Sequence, residues 1–204
     1  MARIVAVLAL LAMGIPMALG QSGAYHSSIE KHRKKVEKEF RNPQKSALRD
    51  QAHTFTGNSY YPIDPAYKVL ARVELTPGGE VFEIPTSNPE RNKKYTRYAI
   101  LHFTWEGQEH TLEVYRSVVL QGVRKYKDHL FLPFTDLTSG EDTYGGGRYL
   151  DLEVPDGETI VIDFNLAYNP YCAYRSDGWA CPVPPVANRL SMAVKAGMKE
   201  YHGK

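Results

Sequence analysis

Hydrophobic residues recur with two different periods along the chain, and the change of period divides it. A helix is predicted over Tyr25–Arg41, where apolar residues recur at helical spacing and Asn42-Pro43 is a typical stop signal. The apolar stripe of this helix consists of Ile29, Val36 and Phe40. We therefore assign residues 21–44 to an N-terminal helical segment. Residues 45–204 alternate with a period of two between turn residues, which predicts a single β-rich domain.

The alternating segments predict eight strands and two hairpins. The strands are expected at 67–75, 81–84, 95–105, 108–117, 129–134, 149–154, 158–165 and 188–195. Hairpin turns are expected at Glu106-Gly107 and at Pro155-Asp156-Gly157. In the second hairpin the aliphatic side chains would share one buried face, and Asp151 and Asp163 the other. The predicted fold is mainly β: an antiparallel sandwich or small open barrel with one N-terminal helix.

Composition narrows the function classes. The chain has 204 residues, with 25 Lys and Arg against 23 Asp and Glu, for a formal net charge of +2. Hydrophobic residues make up 43% and charged residues 24%, which excludes wholesale disorder and fibrous repeats. Nucleic-acid binders carry a concentrated basic footprint, so no nucleic-acid partner is predicted.

Residues 1–20 are typical of a secretory signal peptide. Arg3 precedes the apolar run Ile4–Leu19, and Ala18-Leu19-Gly20 places small residues where signal peptidase needs them. The alternative, a transmembrane anchor, is disfavoured because the run is short of the ~20 residues that a spanning helix needs. We predict cleavage after Gly20, a periplasmic or secreted location, and no stable membrane insertion after cleavage.

Cys172 and Cys181 are predicted to form a disulfide. In an oxidising compartment two cysteines close in sequence usually pair, and Asp177-Gly178 between them is a turn signal. The alternative is a catalytic thiol or a metal ligand, but no histidine lies between His129 and His202. Since no metal-binding motif spacing occurs elsewhere, neither a metal nor another cofactor is predicted.

A glycine-rich segment, Thr143–Arg148, contains three consecutive glycines. Such glycines allow main-chain N–H groups to approach a ligand closely. A phosphate-binding loop would need a following helix and a Lys-Ser/Thr pair, whereas here Arg148 and a strand follow. Two interpretations stay open: Arg148 clamps an anion, or it forms a structural ion pair beside a β-bulge.

The expected second hairpin also suggests paired carboxylates. Asp151 would lie diagonal to Asp163, at ~7–8 Å between Cα atoms, a spacing at which two carboxylates can share a substrate and a water. Asp136, just after the strand 129–134, is a further candidate partner for Asp163. An exposed strand face with two aspartates is equally consistent with a purely structural role.

Several long strings resemble the bacterial domain of unknown function 1684 family. They are Phe134–Gly140, Thr143–Asp151, Asp163–Tyr174 and Cys181–Asn188. The resemblance implies a mostly exported bacterial protein. It implies no reaction and no catalytic residues.

Two functions follow as hypotheses. The first is a small-ligand or glycan binding or structural module of the cell envelope. Its pocket would be lined by Tyr144, Gly146, Arg148, Asn165, Tyr168 and Asn169. The second is an exported hydrolase acting on glycans or esters, with Asp163 and either Asp136 or Asp151 as acid and base and with Arg148 as electrostatic stabiliser. The position of Asp163 discriminates between them: a concave pocket shared with Arg148 favours the enzyme, and internal hydrogen bonds favour a structural role.

Overall fold

The elements of the fold come from a computed structural model that describes residues 16–175 and 177–203, with side chains from residue 23 onward. The helices are α1, Pro16–Phe40, and α2, Val118–Gln121. The strands are β1 Lys68–Leu75, β2 Val81–Ile84, β3 Lys93–Trp105, β4 Gln108–Ser117, β5 His129–Phe134, β6 Arg148–Glu153 and β7 Thr159–Asp163. Short 3-10 helices occupy Arg49–Thr54, Pro65–Tyr67, Pro89–Arg91, Arg124–Tyr126, Phe164–Leu166, Tyr171–Ala173 and Val186–Asn188. Most of the predicted signal segment, residues 1–15, lies outside the described residues.

All seven strands belong to one antiparallel sheet that forms a half-barrel. The order is β6-β5-β4-β3-β1-β7, and β2 lies beside β1 along the same edge of the long strand β3. The predicted hairpin at Glu106-Gly107 is confirmed, since Trp105 of β3 pairs with Gln108 of β4. The mainly β, antiparallel class with one N-terminal helix is confirmed as well.

The predicted hairpin between β6 and β7 is wrong. β6 pairs with β5, and β7 pairs with β1, so the two strands form opposite edges of the sheet. Five spacings of ~4.8 Å would separate these edges by ~24 Å in a flat sheet, whereas the five-residue connection 154–158 reaches only ~20 Å. The short connection therefore requires the sheet to curl, and it joins the two edges of the half-barrel.

The concave side of the sheet holds the main core. Its strand residues are Ala71, Ala99, Leu101, Phe103, Leu112, Val114, Leu130, Leu132, Phe134, Leu150, Ile160 and Ile162. The C-terminal segment fills the open side of the half-barrel with Leu190, Met192, Val194 and Ala196. The alternation predicted which side chains face inward, because it reports the buried face of a strand and not the identity of its neighbour.

The predicted eighth strand, 188–195, is not a strand in the structure. Leu190, Met192 and Val194 are buried as expected, but one isolated bridge, Thr135 to Arg189, is all the pairing found there. The fully buried Asn188 side chain takes the place of a strand neighbour. It donates to the Pro133 and Glu113 carbonyls at 2.7 and 2.8 Å and accepts from the Glu113 N–H at 2.7 Å. One amide side chain thus satisfies backbone groups where β4 and β5 separate.

The convex side carries an aromatic cluster under the disulfide-closed segment. Tyr95, Tyr115, Phe131 and Tyr149 pack together with Ile84, and the Tyr149 hydroxyl donates to the Pro182 carbonyl. The predicted disulfide is confirmed: the Cys172 and Cys181 sulfurs are 2.08 Å apart, with their Cα atoms 6.2 Å apart. The segment from Tyr168 to Pro185 is therefore attached to the sheet surface and closed on itself.

Helix α1 ends where it was predicted to end but begins earlier. It is already helical at Pro16, the first described residue, well before the expected start near Tyr25. The predicted stripe faces the body, with Ile29 and Phe40 buried. Phe40 stacks on Phe55 at 5.1 Å and contacts Tyr174 at 4.4 Å. Within the described part of the chain, we find no helix with the length and apolar character needed to span a bilayer.

The buried tyrosines make the fold sensitive to alkali. Burial raises the pKa of Tyr61 and of Tyr95 to about 12, from an ordinary value of 10.0, and it shifts the pKa of Tyr115 and Tyr149 in the same direction. Between these values the unfolded chain has lost phenolic protons that the folded chain retains. The contribution of these tyrosines to the free energy of unfolding is thus fully present below pH 10. It is lost as the pH rises from 10 towards 12, by on the order of 2 kcal/mol for Tyr95 alone.

This alkaline loss can be measured by urea unfolding between about pH 9 and pH 12, with tyrosinate absorbance recorded in parallel. Native protein should show a late-ionising group of tyrosines that titrates normally once urea is added. Complete ionisation of the native protein near pH 10 would contradict the expectation.

Candidate functional site

Arg148 lies at the centre of a buried polar cluster between the glycine-rich segment and the C-terminal segment. Its side chain is 0% exposed and its Nη2 lies 2.8 Å from Asp136 Oδ2, whose side chain is 1% exposed. The guanidinium also donates to three main-chain carbonyls, those of Val194, Ala196 and Met198. Asp136 in turn accepts from the Thr138 N–H and hydroxyl. With the Thr138 hydroxyl at 3.5 Å, the protein itself supplies five hydrogen-bond acceptors to the guanidinium.

Asp163 lies in a second polar cluster, where β7 meets helix α1. The Tyr25 hydroxyl donates to both carboxylate oxygens at 2.9 Å. The Asn165 N–H and side-chain amide also donate to Asp163, each at 3.1 Å, and the amide bonds to the Asp64 carbonyl at 2.8 Å. Asp163 is 8% exposed, so its expected place on an open strand face is wrong. Helix α1, through Tyr25, covers that face.

Asp151 remains at the surface of edge strand β6. It accepts from Tyr168 at 3.0 Å and lies 2.9 Å from Nε2 of His129, while its own side chain is 52% exposed. The three aspartates nominated from the sequence therefore have different partners: Arg148 for Asp136, His129 and Tyr168 for Asp151, and Tyr25 and Asn165 for Asp163. The structure does not bring them together, because β6 and β7 are not neighbours.

The remaining nominated ligand-binding residues lie mostly inside the fold. Asn169 is 2% exposed and donates to the Lys199 carbonyl at 2.8 Å, and its Oδ1 is buried without a partner. Tyr168 exchanges backbone hydrogen bonds with Tyr149. Gly146 faces the half-buried Tyr144 ring, whose Cε1 would lie 2.4 Å from an added Cβ. Asn165 and Asn169 are buried, Tyr144 and Tyr168 are half-buried, and Gly146 is exposed.

An open depression lies instead beside the disulfide-closed loop. It has a volume of about 530 Å³, within the range usual for small-molecule sites. The residues that line it and matter for recognition are Glu39, Gln44, Lys45, Arg49, Tyr171 and Trp179. We call this depression the loop groove. A second depression, about 390 Å³ between α1 and Pro62-Ile63, is lined largely by charged side chains of both signs.

Two aromatic rings form the apolar part of the loop groove. The Tyr171 ring meets the Trp179 ring edge to face at 4.7 Å, and Tyr171 is 40% exposed. The Trp179 ring is fixed in position, because its indole N–H donates to the Ala47 carbonyl at 2.9 Å. The Arg49 guanidinium stacks over the indole at 4.2 Å. The rings are thus supported from several sides while Tyr171 stays open to solvent.

Arg49 and Gly178 both have positive φ beside the loop groove, and of the two only the φ of Arg49 is unusual. Its own φ is +53°, which is uncommon for a residue with a side chain. Gly178 has φ of +78°, and an added Cβ there would lie 2.7 Å from Arg49 Nη1. Arg49 also donates to the Gly178 carbonyl at 2.9 Å. Backbone strain held in place by its surroundings is a feature of functional sites.

Sequence reasoning did not find the loop groove. Tyr171 and Trp179 stand out as aromatics inside a predicted disulfide loop, and that was the available signal. Nothing in the sequence indicates that Arg49, about 130 residues earlier, stacks on Trp179.

Comparison with known proteins identifies the family of the chain and a solved structure with a similar fold. The chain matches the family model described as "Protein of unknown function (DUF1684)" over residues 53–199. It is similar to the solution NMR structure of an uncharacterized protein from gene locus rrnAC0354 of Haloarcula marismortui. The TM-score is 0.66 and the identity 32%, over 88% of this chain and 96% of that one. No curated protein matches. Because the family model covers well over half of the sequence, the chain belongs to the DUF1684 family of proteins of unknown function.

Proposed function

We propose that this protein is an exported binding module that holds a saccharide in the loop groove. The observation that carries the proposal is the supported aromatic pair, Tyr171 and Trp179, presented by a disulfide-closed loop beside polar side chains. The disulfide and the apolar N-terminal run are both compatible with export, which gives the protein access to envelope glycans.

The lining of the loop groove suits a polyhydroxylated ligand. A sugar presents C–H faces that pack on aromatic rings, and the exposed Tyr171 ring offers such a platform. Its hydroxyl groups need both donors and acceptors around the rim. Gln44 supplies an amide, Lys45 an ammonium and Glu39 a carboxylate, so both kinds of hydrogen bond are available.

The loop groove is also preorganised, which favours binding. The Cys172–Cys181 bond closes the loop, and Arg175 attaches it to the 3-10 helix Arg49–Thr54 through Asp50 at 2.9 Å. Trp179 has its indole N–H bonded and its ring covered by Arg49. A site whose side chains are already ordered loses less conformational entropy when a ligand binds.

The alternative function, a hydrolase with paired carboxylates, receives less support. Asp136 and Asp163 are both buried with several protein partners, and Asp163 accepts internal hydrogen bonds from Tyr25 and Asn165. That arrangement corresponds to the structural role for Asp163. Asp151 is accessible, but its neighbours are His129 and Tyr168 and not a second carboxylate.

Tryptophan fluorescence offers a direct test of saccharide binding. The chain has two tryptophans, and Trp105, at the end of β3, stacks on Tyr67 away from the loop groove, so Trp105→Phe leaves Trp179 as the reporter. We would titrate this variant with N-acetylglucosamine oligosaccharides and with maltose. A saturable change in emission is expected, and Tyr171→Ala should weaken binding by at least about 10-fold because the open aromatic face is lost.

The matched control is Tyr126→Ala, which removes another surface tyrosine, 36% exposed, from a different part of the fold. It should leave saccharide affinity unchanged. The proposal fails if neither sugar alters Trp179 emission, or if Tyr171→Ala and Tyr126→Ala bind the sugars as tightly as the parent.

A further inference from the structure

A second surface, independent of the loop groove, combines exposed apolar side chains with positive charge. It is the connection from the end of β4 through α2 to β5, residues 116–127, which we call the basic loop. Its exposed apolar members are Val118 (39%), Val119 (75%), Val123 (44%) and Tyr126 (36%). From Gln121 to Asp128 every residue is exposed. We propose that the basic loop adsorbs to the surface of a bilayer that contains anionic lipids.

The charge of the basic loop is one-sided. It contains Arg116, Arg124, Lys125 and Lys127, and no carboxylate occurs between Arg116 and Lys127. The contacts described for these cations involve one carboxylate, Asp128, which lies 3.4 Å from Lys127 Nζ. Lys125 lies over the Tyr126 ring at 5.2 Å. This density of cations is unexpected in a chain whose net charge is only +2.

The sheet register adds two more cations at the same end. Tyr95 of β3 pairs with Ser117 of β4, so Lys94 and Lys93 lie just beyond this pair, where α2 leaves the sheet. Gln121 of α2 donates to the Thr96 hydroxyl at 3.5 Å, which keeps α2 near the start of β3. Both lysines are exposed. Glu83 of β2 lies opposite Lys94, so Lys93 and the basic loop carry the excess positive charge at this end of the half-barrel.

The chemistry of this end matches an anionic membrane surface. Clustered Lys and Arg are attracted to anionic headgroups, and this attraction falls off within a Debye length. Valine side chains and a tyrosine ring can enter the headgroup boundary, where aromatic rings are favoured. A nucleic-acid surface would use the charges but would leave four exposed apolar side chains without an apolar environment. Both halves of the pattern are satisfied at a lipid interface.

The test uses the full chain and a local readout, because the apolar run Ile4–Leu19 offers a second, independent way to hold the chain at a bilayer. Hydrogen exchange is followed in the peptide that covers residues 117–128, with vesicles of phosphatidylglycerol and phosphatidylcholine or of phosphatidylcholine alone. Protection is expected with the anionic vesicles and should weaken as salt is added. In R124Q/K125Q/K127Q the lipid concentration for half-maximal protection should rise on the order of 100-fold.

The matched control removes the same number of cations from α1. Lys31, Lys35 and Lys38 are exposed there, and K31Q/K35Q/K38Q should retain the protection of residues 117–128. A second variant, V119S/V123S, keeps every charge but has lost two apolar side chains. Its protection should disappear at a lower salt concentration than that of the parent, because salt screens the remaining electrostatic attraction. The proposal is overturned by equal protection on neutral vesicles, by equal loss in both charge variants, or by protection that depends on protein concentration without lipid, which would indicate a second copy of the chain.

Discussion

Replacing Arg148 by methionine is expected to lower the free energy of unfolding by about 3–5 kcal/mol, because it leaves the Asp136 carboxylate buried without its cation. The arginine is 0% exposed, and it also donates to the Val194, Ala196 and Met198 carbonyls, so three buried acceptors lose a partner as well. Urea unfolding followed by circular dichroism measures the loss.

Two further variants test whether the destabilisation comes from the buried Arg148–Asp136 pair and not simply from the loss of a positive charge. Arg72→Met removes an arginine near Glu74 whose side chain is 59% exposed, and it should cost less than about 1 kcal/mol. The double variant Arg148→Met/Asp136→Leu should be less destabilised than the two single changes added together, since no unpaired charge remains. If Arg148→Met folds with parental stability and instead loses affinity for an anion, Arg148 is a ligand clamp and the structural interpretation is wrong.

The half-barrel shows where local patterns stop being informative. Leu150 and Ile162 were predicted to face the core, and both do, because alternation records burial directly. The partner of each strand was predicted from the tight-turn signal Pro155-Asp156-Gly157, and there the prediction failed. The same turn residues can close a hairpin or join two edges of a curled sheet. Only contacts distant in sequence, such as those of β7 with β1, decide between the two arrangements.

Among the site residues, contacts between neighbours in sequence were predicted and contacts between distant residues were not. Cys172 and Cys181 lie nine residues apart, and their pairing was predicted from this short separation and from the expected oxidising compartment. Asp163 and Tyr25 are 138 residues apart, and nothing in the local sequence of either predicts their hydrogen bond. Arg49 reaches Trp179 by an equally distant contact, aided by a positive φ that the sequence does not signal. Sequence therefore predicted the loop but not the groove beside it.

Gly147→Ala is expected to destabilise the protein by about 2–4 kcal/mol, whereas Gly145→Ala should be within about 1 kcal/mol of the parent. Gly147 has φ of +85°, and a Cβ there would lie 2.5 Å from the Phe134 carbonyl oxygen and 2.7 Å from Cγ of Pro184. A backbone carbonyl cannot move aside as a flexible side chain can. Gly145 has no such φ, and the nearest atom to its added Cβ, the Gly140 Cα, is 3.5 Å away.

Urea unfolding of the two alanine variants distinguishes a packing role of the glycine run from a ligand-binding role. The glycines were interpreted as a way to bring main-chain N–H groups close to a ligand. In the structure the close approach at Gly147 is made by Pro184 and Phe134 of the same chain, so the run lets the segment 182–185 lie against the end of β5. Equal and small effects of Gly145→Ala and Gly147→Ala would contradict this packing role. In that case Phe134 and Pro184 would not pack tightly against Gly147, and the glycine run would again be a candidate for ligand binding.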